Sequence, residues 1–151
     1  MRVSQVAFTA DEDYLVISAE TGGGLAVYEV QSLLNGSQAS AFELPTNSQS
    51  LRALVPNPTP EKGELLALVT MDGNLLIADL KKRDFTRLPA DSNNMVLKNN
   101  VSCISWSAKG KQLVAGLFDG SAYQMKPTGE HISDIPRPPG LEANYHCKLR
   151  H

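Results

Sequence analysis

Hydrophobic positions along this chain fall in short runs, each closed by glycine, asparagine, aspartate or proline. Runs of that length, rich in Val, Ile, Leu, Tyr and Phe, predict strands rather than helices. The runs also repeat. Residues 8–30, 55–80 and 106–125 align as three copies of one pattern, entered at Phe8, Val55 and Trp106. Each copy has the end of a first strand, a polar turn, a second strand, a Gly-containing turn and a third strand. The second strands are predicted at 14–19, 64–70 and 111–118, and the third at 25–30, 74–80 and 121–125. Short fourth strands are predicted at 41–44, 85–88 and 131–135, where polar character would protect a sheet edge from pairing with a neighbour. Only residues 31–34 are expected to make a helical turn.

The turn glycines Gly24, Gly73 and Gly120 lie 49 and 47 residues apart. A WD-type propeller blade takes about 40 to 45 residues, and the excess falls in the polar insertions 35–40 and 91–100. Asp72-Gly73 and Asp119-Gly120 stand between strand-forming runs, as in tight type I′ hairpins that pair second and third strands antiparallel. The nine prolines all fall between the predicted strands or at their ends. The fold expected is therefore all-β: a WD-like β-propeller of about three four-stranded antiparallel blades, at 1–48, 49–98 and 99–139. Residues 140–151 carry no strand pattern and form an unmatched tail. Rings of this kind take about four to eight blades, so three are expected to be part of an incomplete ring, a fragment of a longer protein rather than a self-completing one.

Composition narrows the class. Hydrophobic residues make up 42% of the chain and charged residues 20%, which fits a folded domain and excludes wholesale disorder. The longest apolar stretch, 65–69, is far too short to span a bilayer as a helix, so membrane insertion is not expected. Asp11, Glu12 and Asp13 stand where a signal peptide needs its apolar region. Two cysteines, Cys103 and Cys147, exclude a disulfide scaffold and suggest cytoplasm or nucleus. The net charge of −2 hides an asymmetry: residues 1–80 hold three basic and ten acidic side chains, residues 81–151 eleven basic and six acidic. That split is read as surface charge differing across one fold, and no direct nucleic-acid binding is expected from it.

The candidate chemical motifs are weak. Gly22-Gly23-Gly24 is followed by a strand, whereas a phosphate-cradling loop must lead into a helix. Lys109-Gly110-Lys111 lacks the upstream glycine and downstream hydroxyl of a phosphate loop and reads as the turn after Trp106. His146, Cys147 and His151 are the only cluster of metal-ligand types, without the spacing of a four-ligand zinc site. Cys103 alternates with apolar neighbours and is expected as a small strand residue, not a nucleophile. Lys81-Lys82-Arg83 reads as a solvated turn, and the stretch 135–139, Ile-Pro-Arg-Pro-Pro, as a rigid connection between blades. No catalytic residue, metal or cofactor is therefore assigned, and the chain is expected not to be an enzyme.

The third repeat carries a more pointed resemblance. Residues 101–127, with Trp106-Ser-Ala-Lys-Gly-Lys-Gln-Leu113 at their centre, followed by Ile-Pro-Arg-Pro-Pro at 135–139, resemble a blade in the N-terminal propeller of the cytoplasmic-filament nucleoporins. Residues 71–77 are similar to the preceding blade of that family, and the resemblance extends over 3–139. It implies a seven-bladed ring at the cytoplasmic face of the nuclear pore, within the nucleus-associated machinery of mRNA and protein transport. The partners it implies are a DEAD-box RNA helicase, tethered at the pore exit, and other nuclear-pore proteins. Much of the family's helicase-docking surface lies on later blades, so no partner-contact residue is carried over and the partner-binding residues are unknown. The alternative from the repeats alone is another WD-type adaptor, such as a ubiquitin-ligase substrate receptor.

Overall fold

The computed structural model describes residues 2–19, 24–45, 50–88 and 96–136. Among these, twelve strands make three four-stranded antiparallel sheets, each from four consecutive strands in sequence order. The first sheet holds β1 (Val3–Phe8), β2 (Tyr14–Ala19), β3 (Leu25–Glu29) and β4 (Phe42–Leu44). The second holds β5 (Leu51–Pro56), β6 (Leu65–Thr70), β7 (Leu75–Asp79) and β8 (Asp84–Leu88). The third holds β9 (Val101–Trp106), β10 (Leu113–Leu117), β11 (Ala122–Met125) and β12 (His131–Ile135). The first strands β1, β5 and β9 lie against one another as the inner side of the array, and β4, β8 and β12 form its outer edge. This is the architecture of propeller blades in series. The expected helical turn is present as α1 (Val30–Leu34), and a second, unexpected one appears as a 3-10 turn at Pro60–Lys62, started by the fixed φ of Pro60.

Alternation along each strand sends one set of side chains to each face, and the sheets stack through those faces. Val16, Leu25, Val27 and Leu44 of the first sheet meet Leu54, Leu66, Leu68 and Ala78 of the second. On the opposite face of the second sheet, Ala67, Val69, Leu75 and Ile77 meet Ile104, Leu113, Ala115, Tyr123 and Met125 of the third. Strand β6 is therefore covered on both sides and buried from Leu66 to Thr70, while β2 and β10 alternate between buried and half-buried. Sheet position, not hydrophobicity, produces the difference, because all three strands are about equally apolar. Each leucine buried this fully contributes about 1.5 to 3 kcal/mol. Leu97, within a stretch expected to be only a polar insertion, is 1% exposed and plugs the end of the second core.

Each inner strand carries one irregularity at the same place, with Ser4, Arg52 and Ser102 as the extra residues. Bulges of this kind bend a strand, and repeating one in each sheet keeps the three inner strands equivalent. The hairpins between second and third strands form as expected, but not as type I′ turns. That turn needs positive φ at two residues, whereas only the glycines have it, Gly73 at 86° and Gly120 at 91°. Gly73 N donates to Thr70 O and Thr70 N to Asn74 O, closing a three-residue loop, and Gly120, Leu117 and Ser121 repeat it. The aspartates serve instead as acceptors: Asp72 takes the Thr70 hydroxyl, and Asp119 takes both the N-H and the hydroxyl of Ser121.

Candidate functional site

Sequential antiparallel order places the turns at two ends of the array. At one end lie the turns joining first to second strands and third to fourth strands; the hairpins at Gly73 and Gly120 lie at the other. The charge asymmetry of the sequence becomes a gradient along the first end. Asp11, Glu12 and Asp13 are exposed on the first sheet's turn, Lys81, Lys82 and Arg83 on the second sheet's, and Lys109 and Lys111 on the third's. The basic run is a solvated turn as expected, ordered by Asp79, whose carboxylate accepts from the N-H groups of Lys81 and Lys82. Arg83 in addition lays its guanidinium 4.2 Å from the centroid of the Phe42 ring, bridging the first and second sheets.

Polar locks hold the second and third sheets together at both ends. Trp106 Nε1 donates to Val55 O at 2.8 Å, carrying a side chain of β9 onto the inner strand of the second sheet. Asn57 is 0% exposed; its Nδ2 donates to Gly110 O at 3.0 Å, and its Oδ1 accepts from Thr59 N and Thr59 Oγ1. At the opposite end Asn74 Nδ2 donates to Asn99 Oδ1, while Asn74 Oδ1 accepts from Asn99 N and from Arg87. Val101 N donates to Gly73 O in the same place, which is why Gly73 has no room for a side chain: a Cβ would stand 2.9 Å from the Asn99 carbonyl carbon. Neither Asn57 nor Asn74 stands out by type in the sequence; the Asn-Pro pair at 57–58 signals a turn but not a contact 53 residues away.

These locks make a stiff platform whose turns can vary without disturbing the strands. A family model described as the NUP159/214 beta propeller matches residues 1–149 of the chain. The chain belongs to that family. It is 55% identical over 146 residues to nucleoporin NUP159 of Chaetomium thermophilum, and 30% identical over 146 residues to nucleoporin nup146 of Schizosaccharomyces pombe. Those alignments cover 97% and 95% of this chain but 10% of each relative, so the chain spans about a tenth of their length. The family read from the third repeat is thus matched over residues 1–149.

Within this nucleoporin propeller segment the weak motifs take the following places. Gly24 has φ 116° and leads into β3, a strand and not a helix; Gly22 and Gly23 lie outside the described residues. Lys109, Gly110 and Lys111 form the turn after Trp106. Cys103 sits in β9 as expected. His146, Cys147 and His151 lie outside the described residues, as do 137–139 of the Ile-Pro-Arg-Pro-Pro segment and the whole tail 140–151. Among the described residues, no group of three or more His, Cys, Asp or Glu side chains is arranged to hold a metal.

Proposed function

We propose that this chain is a non-catalytic docking segment of a nuclear-pore propeller, which holds a DEAD-box RNA helicase at the cytoplasmic face of the pore during mRNA export. The observation that carries this reading is the family match across residues 1–149, together with 55% identity to a nucleoporin. The architecture suits tethering: buried locks fix the sheets relative to one another, and all charged turns of one end face the same side. Other nuclear-pore proteins are the second class of partner. In this mechanism RNA remodelling is the helicase's chemistry, and the propeller contributes position alone. The blade boundaries 1–48, 49–98 and 99–139 are proposed as its units.

The test is a binding titration of a purified DEAD-box export helicase against this chain and against a complete propeller from the same relative. Binding to the complete propeller, at least about 10-fold tighter than to this chain, is the expected result, since one decade corresponds to about 1.4 kcal/mol of lost contact. No binding to either would overturn the helicase assignment. A fluorescently tagged full-length protein that fails to concentrate at the nuclear rim would overturn the pore assignment. The purified chain is expected to show no ATPase or hydrolase turnover; turnover abolished by changing one polar residue would end the non-catalytic reading.

A further inference from the structure

Of the nine prolines, Pro60 alone follows a hydroxyl-bearing residue, so Thr59-Pro60 is the single Ser/Thr-Pro pair in the chain. Lys62 stands two places after that proline and completes the Thr-Pro-x-Lys pattern read by proline-directed protein kinases. The pair lies between β5 and β6 of the second sheet, whose two faces are both covered by neighbouring sheets. Thr59 has the extended backbone that a kinase groove takes, with φ −98° and ψ 133°, and Pro58, Pro60, Glu61 and Lys62 around it are exposed. The 3-10 turn that follows buries no side chain and is closed by Lys62 N to Thr59 O at 3.1 Å and Gly63 N to Pro60 O at 3.3 Å. A turn with so few holds opens locally at little cost. The hydroxyl itself is engaged. Thr59 Oγ1 donates at 2.7 Å to Oδ1 of Asn57, the fully buried side chain whose Nδ2 holds Gly110 O, in the third sheet's turn, at 3.0 Å.

We propose that Thr59 is a phosphorylation site for a proline-directed kinase, and that its phosphate loosens the lock between the second and third sheets. The site stands apart from the docking reading and holds whether or not the chain binds a helicase. In the transfer, Thr59 Oγ1 attacks the γ-phosphorus of ATP. The new Oγ1–P bond replaces the bond from that phosphorus to the oxygen bridging it to the β-phosphorus, ADP leaves, and the hydroxyl proton passes to the kinase's catalytic base. The ester oxygen that results has no proton to donate, and the group carries about −1.5 to −2 charge near pH 7. Asn57 Oδ1 then keeps only the Thr59 N-H as a donor and faces an anion in place of a hydroxyl. Asn57 has no exposed surface, so water does not offset that repulsion while the turn stays closed. The segment 57–59 must swing outward to hydrate the phosphate, and Asn57 is drawn from Gly110 O as it does. Threonine thus serves both states: a donor that closes the lock, and a nucleophile once the turn opens.

The test is incubation of the folded 151-residue chain with a purified cyclin-dependent kinase and magnesium-ATP, followed by peptide mapping and hydrogen exchange. Phosphate is expected on Thr59, at a rate cut about 10-fold or more by Pro60→Ala. Asn57→Ala, which frees the hydroxyl, is expected to raise the rate. Ser107 N and Gly110 N close the facing turn by donating to Gln112 O and Ser107 O. Both amides are expected to exchange about 10-fold faster once Thr59 is phosphorylated, with the amides of β2 unchanged. Thr59→Val, which deletes the hydroxyl without adding charge, is expected to give a smaller increase. Absence of phosphate from Thr59 of the folded chain overturns the site, even where Asn57→Ala accepts it. Unchanged or slower exchange at Ser107 and Gly110 overturns the loosening; slower exchange is the result if Lys109 and Lys111 of that turn capture the phosphoryl group. Equal gains in β2 report general unfolding and overturn it as well, and a Thr59→Val effect as large as the phosphate's overturns the role given to its charge.

Discussion

The turns after β1 and after β9 are built alike, yet one carries a glutamate where the other demands glycine. In the first, Thr9 N donates to Tyr14 O, Glu12 N to Thr9 O, and Tyr14 N to the Thr9 hydroxyl. In the third sheet, Ser107 N donates to Gln112 O, Gly110 N to Ser107 O, and Gln112 N to the Ser107 hydroxyl. Glu12 and Gly110 therefore hold the same position, with φ of 62° and 69°. What separates them is the neighbouring sheet. A Cβ on Gly110 would come within 2.3 Å of Asn57 Oδ1, whereas Glu12 is exposed. Turn geometry favours glycine at both places; only the lock between the second and third sheets enforces it. The contact between first and second sheets has no counterpart to Asn57, because Thr9 in that place keeps its hydroxyl on its own turn, donating to Asp11. Its polar links among the described residues are slighter: Gln5 Nε2 to Arg52 O at 3.2 Å, and Arg83 over Phe42.

The strongest way to break this comparison is to fill the position where the lock forbids it. Gly110→Ala is expected to destabilise by about 3 kcal/mol or more, combining unfavourable positive φ with collision against a buried amide. Because the collision has one partner, Asn57→Ala in the same chain should recover part of the loss. Denaturant melts of the two single variants and the pair measure the coupling, and strict additivity would show that Gly110 answers to its turn and not to Asn57.

Next in size are changes that remove a lock or its hairpin without adding a clash. Asn57→Ala alone deprives Gly110 O and Thr59 of their partners inside the protein, at an expected cost of about 2 kcal/mol. Gly120→Val forces a β-branched residue to positive φ in the third sheet's hairpin, at about 1 to 3 kcal/mol. By contrast Gln5→Ala, which removes the corresponding link between first and second sheets, should cost no more than about 1 kcal/mol, since that bond is single and partly solvated. A Gln5→Ala cost equal to that of Asn57→Ala, read from the same melts, would erase the distinction between the two contacts.

What the sequence made legible follows the same division. Strand positions were plain because alternation and Gly-containing turns are local signals: 14–19 and 131–135 were read at the bounds of β2 and β12, and the others within two residues. The resemblance in the third repeat was legible because Trp106 and the Lys-Gly-Lys turn lie in one contiguous stretch. Asn57, Asn74 and Leu97 were not legible, since each acts on a residue of another repeat, and nothing in a polar asparagine or an isolated leucine says which surface will cover it. The hairpin type was misread for a related reason. Asp-Gly fits both a two-residue and a three-residue loop, and the choice rests on Thr70 and Ser121 hydroxyls that bind the aspartates. Charge asymmetry was visible as a sum, but its placement along one end needed the order of the sheets.

The smallest expected effect reverses sign and sharpens the comparison from the other side. At position 12 the backbone already has the conformation that glycine adopts freely, and no neighbouring side chain fills the space a Cβ occupies. Glu12→Gly relieves the left-handed strain of a residue with a side chain, while it loosens the unfolded chain, which offsets part of the gain. The net is a stabilisation of about 0.5 to 1 kcal/mol, visible as a small rise in the denaturant midpoint at constant slope. Glu12→Ala keeps the strain and deletes only the exposed carboxylate, so it should leave the midpoint nearly unchanged. If Glu12→Ala stabilised as much as Glu12→Gly, the gain would come from removing one of three adjacent acidic charges, and φ at this turn would carry none of the difference between Glu12 and Gly110.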